Sequence, residues 1–344
     1  MPRRYHIVLI PGDGIGPEVT AAARRVLEVV GVFDIEEVEA GLAYYNRTGK
    51  PFPDDVLDKL RAADAVLKGP LATPVGPGGY RSINVYIRQS LDLYANLRPC
   101  RGYPGVSPRV FNMVIVRENT EGLYAGIEGV FRDQALAVKI VTRHGSERII
   151  RFAFEYAKAN GFQRVTAVHK ANILKLSDGL FLQVFREIAK EYPEIQADDL
   201  IVDAAAYNMA RAPEKLQVLV TMNLYGDILS DLAAGLAGSL GLCGSGQIGE
   251  RYAVFEPVHG AGFDIAGKGI ANPVAAIHAA RLMMEYLAQK HGDSRLASAA
   301  KSLDKAIEAT LVEDRVLTPD LGGSAKTMDV AENIAKRLAQ LLEH

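Results

Sequence analysis

Two aspartates, Asp227 and Asp231, stand four residues apart in the segment NLYGDILSDLAAGLAGSLG, which is otherwise apolar and small. On a helix both carboxylates would project from one face, one turn apart, and such a like-charge pair costs about 0.2–0.5 kcal/mol. Burying the pair without a partner would cost far more. A divalent cation between the two removes both penalties, and hard oxygen ligands suit Mg²⁺ or Mn²⁺. The alternative is a helix cap and a surface acid. A second feature, IPGDGIGPEV at 10–19, looks like a dinucleotide fingerprint, with Asp34 about 20 residues on. Its spacing is G-x-G-x-G, though, and Pro17 reads better as the first residue of a helix. The plainer reading is a tight strand-to-helix turn whose glycines supply unusual φ values. Two further stretches, 73–82 and 242–252, read as long glycine-rich loops of the kind that carry ligands.

The elements that must position these groups alternate between strand and helix. YHIVLI reads as a strand leading into the helix EVTAAARRVLEVV, and ADAVLKG reads as a buried strand. SINVYIRQSLDLYANLRP begins as a helix. FNMVIVREN, ALAVKIVT and RVTAVHK are short β-branched runs. ERIIRFAFEYAKANG is an amphipathic helix stopped by Gly161. LSDGLFLQVFREIAKEY is another, with Ser177 and Asp178 as candidate caps. LQVLVTMN is a strand feeding the helix that carries the two aspartates, and the C-terminal part is helical. The pattern is α/β without repeats.

Composition excludes several classes. The 41 acidic residues against 39 basic ones leave a formal charge of -2, so there is no global basic field for nucleic acid and no polybasic membrane anchor. The seven histidines form no HxxxH or HExxH pair. Cys100 and Cys243 are far apart in sequence and form no CxxC, which fits free thiols in a reducing compartment. No apolar run reaches the roughly 18–20 residues that span a bilayer. MPRRYHIVLI runs directly into a strand rather than a signal peptide, so a cytoplasmic location is expected. The 344 residues allow about two domains.

Taken together and in order, IPGDGIGPEV, LKGPLATPVG, LDLYANLRPC, VRENTEGLYAGIEG, HKANILK, NLYGDILSDL and FEPVHGAGFDIAGKGIANP resemble the β-decarboxylating dehydrogenases. That family comprises isocitrate, homoisocitrate, 3-isopropylmalate and tartrate dehydrogenases. The resemblance runs from about residue 6 to about residue 285. It implies a two-domain α/β fold distinct from the classical Rossmann fold. Residues 1–98 with 255–344 would form a large domain bearing the cofactor loops. Residues 99–254 would form a small domain with the dimer interface, the metal ligands and the catalytic lysine and tyrosine. It also implies a homodimer with composite sites, a tetramer being the alternative assembly.

The family reaction oxidises a secondary alcohol by hydride transfer to a nicotinamide, loses CO₂ and reprotonates the enolate. By the resemblance, Arg88, Arg98 and Arg117 clamp the substrate carboxylates, as planar guanidinium groups suit. Asp227 and Asp231 hold the cation, completed by Asp203 of a second subunit. Lys170 and Tyr124 form the acid–base pair. Lys170 follows a buried strand, where desolvation and a nearby cation lower a lysine pKa. Asn172 is expected beside substrate or nicotinamide. Lys68, Ala72 and Thr73 match the nicotinamide side, with Ala72 standing where some isocitrate enzymes have threonine. Glu256, His259, Gly260, Asp264, Ile265 and Asn272 are implied at the cofactor, the last five around the adenosine.

Two choices follow from single positions. NADP-using members tend to place Lys and Tyr where this chain has Asp264 and Ile265. A carboxylate accepts from both ribose hydroxyls and repels a 2′-phosphate, so NAD is expected. The loop reads HGAGFDIAG, with Phe263 where the family commonly has proline. For the substrate, a 2-hydroxy acid, Ser82 and Asn84 precede Arg88 in the S-x-N register of isocitrate enzymes. Isopropylmalate enzymes instead carry leucines around the positions of Asn84 and Val85. Isocitrate is expected, with homoisocitrate and then 3-isopropylmalate behind it. A non-catalytic regulatory subunit is the remote alternative, disfavoured because Tyr124, Lys170, Asp203, Asp227 and Asp231 are all present.

Overall fold

The computed structural model describes residues 3–74, 80 and 82–343; most of the 73–82 loop, including Arg81, lies outside the described residues. The strands are β1 (Tyr5–Ile10), β2 (Phe33–Glu37), β3 (Ala65–Lys68), β4 (Ala95–Gly102), β5 (Phe111–Glu118), β6 (Glu128–Phe131), β7 (Gln134–Ala137), β8 (Arg164–His169), β9 (Gln196–Ile201), β10 (Val218–Thr221), β11 (Gly244–Ile248) and β12 (Ala253–Pro257). The helices are α1 (Gly16–Val30), α2 (Leu42–Thr48), α3 (Val56–Ala62), α4 (Ile83–Ser90), α5 (Arg143–Ala159), α6 (Ser177–Ile188), α7 (Val202–Arg211), α8 (Asn223–Ala237), α9 (Val274–His291), α10 (Ser294–Val312) and α11 (Thr327–Leu342).

Ten strands form one sheet in the order β2-β1-β3-β12-β11-β4-β5-β10-β8-β9. The two wings are parallel, and their inner strands, such as β1 and β10, are near-continuous apolar runs buried on both faces, while the edge strands β2 and β9 are charged and partly exposed. The middle is different: β12, β11, β4 and β5 pair antiparallel. This mixed centre departs from the all-parallel Rossmann sheet. The expected domain limits at 98/99 and 254/255 fall inside β4 and β12, two strands of this centre.

The antiparallel centre also carries the polar face of the sheet. The register sets Asn96 opposite both Arg117 and Gln247, so the three side chains share one face. Across the centre, α9 packs on β11 and β12, and α8 packs on β4 and β5. Gly226 lets α8 approach closely: a Cβ there would lie 2.6 Å from Cβ and Cγ of Arg117.

Three sequence readings need correction, and a fourth gains a spatial detail. The stretch 242–252 is not one long ligand loop; its centre is β11, in the middle of the sheet. Its glycines serve packing, since a Cβ at Gly244 would sit 2.5 Å from the backbone nitrogen of Ala279 on α9. ALAVKIVT contributes only the end of an exposed hairpin, β6–β7. Ser177 and Asp178 lie within the first turn of α6 rather than capping it, and the buried Asp178 carboxylate instead accepts from the backbone nitrogen of Lys170 at 2.7 Å. Cys100 and Cys243, 143 residues apart in sequence, are neighbours in the fold, with their sulfurs 2.7 Å apart in the core. Among the described residues no helix is long and apolar enough to cross a membrane.

Candidate active site

Three buried arginines lie close together. Arg88 comes from the last turn of α4, Arg98 from β4 and Arg117 from β5. Each is fixed through Nε by a buried side-chain amide. Arg88 Nε donates to Gln247 Oε1 at 2.6 Å, Arg98 Nε to Asn96 Oδ1 at 3.2 Å, and Arg117 Nε to Asn223 Oδ1 at 3.0 Å. Arg98 also donates to Ser230 Oγ at 2.6 Å. The fold brings together the three arginines that the sequence reading grouped.

The counter-charge is Asp227. Its Oδ1 accepts from Arg98 at 3.2 Å and from Arg117, and its Oδ2 accepts from the Tyr124 hydroxyl at 2.6 Å. Burial raises the Asp227 pKa, but Arg117 and Arg98 outweigh it and hold the carboxyl below its ordinary value. Burial, with Arg98 and Arg88 close by, pulls Arg117 down to about 9. Tyr124 is raised, by burial and then by its bond to Asp227, so the phenol stays protonated at neutral pH. The guanidinium of Arg117 lies 5.0 Å from the centre of its ring.

Asp231 follows one turn later on α8 and makes no hydrogen bond or ion pair among the described residues. Burial and the neighbouring Asp227 raise its pKa. A partly desolvated carboxylate without a partner, beside another carboxylate, fits a divalent cation. Asp203 stands elsewhere, at the start of α7, and pairs with Lys170. Among the described residues no three His, Cys, Asp or Glu side chains in this one chain converge on a metal. Lys170 follows β8, but its side chain is 30% exposed rather than desolvated. Asn172, next to it, is exposed. The expected residues thus fall into two groups: Arg88, Arg98, Arg117, Tyr124, Asp227 and Asp231 in one, Lys170, Asp203 and Asn172 in the other.

The cofactor-side residues surround the GDG turn. Gly12 and Gly14 have φ of 81° and 59°. Asp13, between them, is buried and accepts from the backbone nitrogens of Leu42 at 2.8 Å and Ala72 at 2.9 Å. The nitrogen of Ile15 donates to the carbonyl of Ala261 at 2.7 Å, and a Cβ at Gly14 would lie 1.9 Å from that oxygen. The fingerprint-like motif therefore braces the segments at Ala72 and Ala261, through the Asp13 carboxylate and the Ile15 backbone. Asp34 takes no part; it pairs with Arg4 on the exposed strand β2.

Thr73, Gly260 and Asp264 are exposed, and Ile265 is half-buried. Lys68 is fully buried and paired with Glu256, which Lys68 and Arg88 hold ionised against the opposing effect of burial. His259 is buried, with Nδ1 2.9 Å from the carbonyl of Gly260 and Nε2 without a partner among the described residues. Burial pulls its pKa down, leaving a neutral ring. Asn272 is occupied by the fold: Oδ1 accepts from the nitrogen of Val274 at 3.1 Å, and Nδ2 donates to Asp320 at 3.0 Å.

Sequence reading missed the amides that hold the arginines, and Asp13. Asn96 was within reach, two residues before Arg98 on the same face of one strand. Asp13 was visible in GDG but was judged only as part of a nucleotide motif. Gln247 was hidden by the misreading of β11 as a loop.

Residues 6–334 match the family model described as isocitrate/isopropylmalate dehydrogenase. The isocitrate/homoisocitrate dehydrogenase of Thermus thermophilus is 47% identical, over 98% of this chain and 99% of that protein. The 3-isopropylmalate dehydrogenase of Archaeoglobus fulgidus is 46% identical, over 96% and 99%. Among solved structures, isocitrate dehydrogenase from Methylococcus capsulatus superposes with a TM-score of 0.91 at 48% identity, covering 98% of this chain and all of that one. The chain belongs to the isocitrate/isopropylmalate dehydrogenase family of β-decarboxylating dehydrogenases.

Proposed function

We propose that the chain oxidises and decarboxylates isocitrate with NAD, in a homodimer whose sites are shared between subunits. The observation that carries isocitrate is the polar start of α4. Ser82 Oγ accepts from the nitrogen of Val85 at 3.4 Å, which leaves its hydroxyl hydrogen to donate. Asn84 donates to the carbonyl of Leu71 at 3.4 Å, and its buried Oδ1 has no partner among the described residues. The Ser82 hydroxyl and the second Nδ2 hydrogen of Asn84 can donate to a third carboxylate at this helix N-terminus, whereas Asn84 Oδ1 can only accept. An isopropyl group would leave them unpaired, at about 1–3 kcal/mol each. Homoisocitrate is the second reading, favoured by a relative that bears both names.

Asp227 and Asp231 would hold Mg²⁺ or Mn²⁺, which would supply Lewis-acid polarisation of the substrate oxygen, and NAD would be the hydride acceptor. Arg88, Arg98 and Arg117 hold the carboxylates in place. Lys170 of the second subunit takes the hydroxyl proton, and Tyr124 gives its phenolic proton to the carbon that loses CO₂. The separation of Lys170 and Asp203 from Tyr124 and Asp227 within one chain supports the shared site. So do the exposed apolar residues beside them: Ile173, Leu174 and Leu176 after Lys170, Tyr207 on α7 and Ile228 on α8. Asp264 with Ile265, rather than Lys with Tyr, supports NAD. The deciding measurement is kcat/KM for isocitrate, homoisocitrate and 3-isopropylmalate, each with NAD and NADP. A higher value for either competitor, or for NADP, overturns the corresponding part.

A further inference from the structure

Arg88 and Arg98 come from different elements, yet one row of amides joins them. Arg88 Nε donates to Gln247 Oε1 at 2.6 Å, and Arg98 Nε donates to Asn96 Oδ1 at 3.2 Å. Between these acceptors stands Asn119. Its Nδ2 donates to Gln247 Oε1 at 3.1 Å, and its Oδ1 accepts from Asn96 Nδ2 at 3.1 Å. The row reads arginine, amide, amide, amide, arginine. Asn96, Asn119 and Gln247 are 0%, 2% and 1% exposed, so each bond must be made within the protein.

The orientation of every amide is determined. Gln247 Nε2 donates to Glu256, which only accepts, so its Oε1 faces the donors Arg88 and Asn119. Asn119 Nδ2 is anchored a second time, by the carbonyl of Leu93 at 2.9 Å. The nitrogen of Leu93 in turn donates to the carbonyl of Arg88 at 2.9 Å, tying down the end of α4. Amides suit this place because they add no charge beneath three clustered guanidinium groups. A carboxylate at position 247 would place a second negative charge beside Glu256, whose Oε1 already lies 3.6 Å from Arg88 Nη2. An alkyl group would leave Arg88 Nε unsatisfied and its fork free to turn. Holding Arg88 and Arg98 by Nε leaves Nη1 of Arg88 and Nη2 of Arg98 without a hydrogen bond among the described residues, open to carboxylate oxygens.

We propose that Gln247 is a positioning residue of the substrate clamp. It orients Arg88 directly and, through Asn119 and Asn96, sets Arg98 at a fixed place relative to it for a polycarboxylate 2-hydroxy acid. This rests on the reading that Arg88 and Arg98 bind the substrate carboxylates. Two side chains held to a common scaffold meet a substrate without losing rotamer freedom on binding.

The test is steady-state kinetics of the intact enzyme with Mg²⁺, isocitrate and NAD. Gln247→Met keeps the length and removes the amide. The KM for isocitrate is expected to rise about tenfold or more, with the KM for NAD within about twofold, as loss of one charge-assisted bond implies. In an Arg88→Lys background the same change should add less than about twofold, because the shared partner is gone. A fall in kcat with the isocitrate KM unchanged, or equal rises in both KM values, would show a structural role only and overturn the inference. If Gln247→Met does not fold, Gln247→Glu keeps the size and the acceptor oxygen and places a negative charge against Arg88. An isocitrate KM unchanged in that variant also overturns it. Should Arg88→Lys raise the KM while both changes at 247 are silent, the amide row fails and the clamp stands. An Arg88→Lys variant with unaltered isocitrate KM refutes the clamp itself.

Discussion

Asp227 joins Arg98, Arg117 and Tyr124, and Asp227→Asn separates its electrostatic role from its chemical one. With metal removed by a chelator, the carboxylate is the counter-ion of Arg98 and Arg117, whose side chains are only 7% and 1% exposed. Breaking a fully buried ion pair costs about 3–5 kcal/mol. Asp227 is 38% exposed and asparagine retains an acceptor, so the expectation drops to about 2 kcal/mol at pH 7. The unfolding entropy of a chain this long is roughly 0.7 kcal/mol/K, which turns that loss into a melting temperature lower by about 3 °C. The pH dependence has a definite sign. The folded-state pKa of Asp227 lies below its ordinary value, so its contribution is full above the unfolded pKa of about 4 and disappears as pH falls through the folded value. The gap between parent and variant is therefore constant from neutrality down to about pH 5 and closes below pH 4. Thermal melts in chelator at several pH values measure it. A variant as stable as the parent at pH 7, or a gap that persists undiminished to pH 3, would refute the argument, since repulsion from Asp231 would then outweigh the arginines. In kinetic assays with added Mg²⁺ the same variant should fold and lose metal-dependent turnover.

Two further outcomes test the shared site and the cofactor. Chains carrying Lys170→Ala and chains carrying Tyr124→Phe, each inactive alone, should recover about a quarter of parental activity after mixing and exchange. Half of the dimers are then hybrids, each with one intact site; no recovery after demonstrated exchange argues that both residues serve the same subunit. Asp264→Lys with Ile265→Tyr should move the ratio of kcat/KM toward NADP. If the parent already prefers NADP, the role given to Asp264 is wrong.

The parallel wings were the easiest part to read, because strands buried on both faces are continuous apolar runs: YHIVLI is β1, RVTAVH is β8 and VLVT is β10. Amphipathic periodicity likewise marked α1 and α5. The centre of the sheet was harder. GSGQI contains two glycines and a glutamine and carries no strand propensity. It is extended because α9 and Phe255 press against its glycines and its backbone pairs on both sides. Cys100 and Cys243 meet only through the same register, which no local pattern encodes. The charged residues of the site were legible as residues. Their partners were neutral amides, and a neutral amide becomes conspicuous only when its burial is known.

Gly226 contributes neither charge nor hydrogen bond, yet it stands between two groups that do. The stem of Arg117 occupies the volume that any side chain at this position would fill. Alanine, usually the gentlest replacement for a helical glycine, would here strike Cβ and Cγ of the arginine while sitting one residue from Asp227. The guanidinium and the carboxylate therefore share one mechanical tolerance, set by an absence of atoms. At position 226 the choice is all or none, so the constraint would go unnoticed by any measure that ranks residues by what they donate, accept or carry.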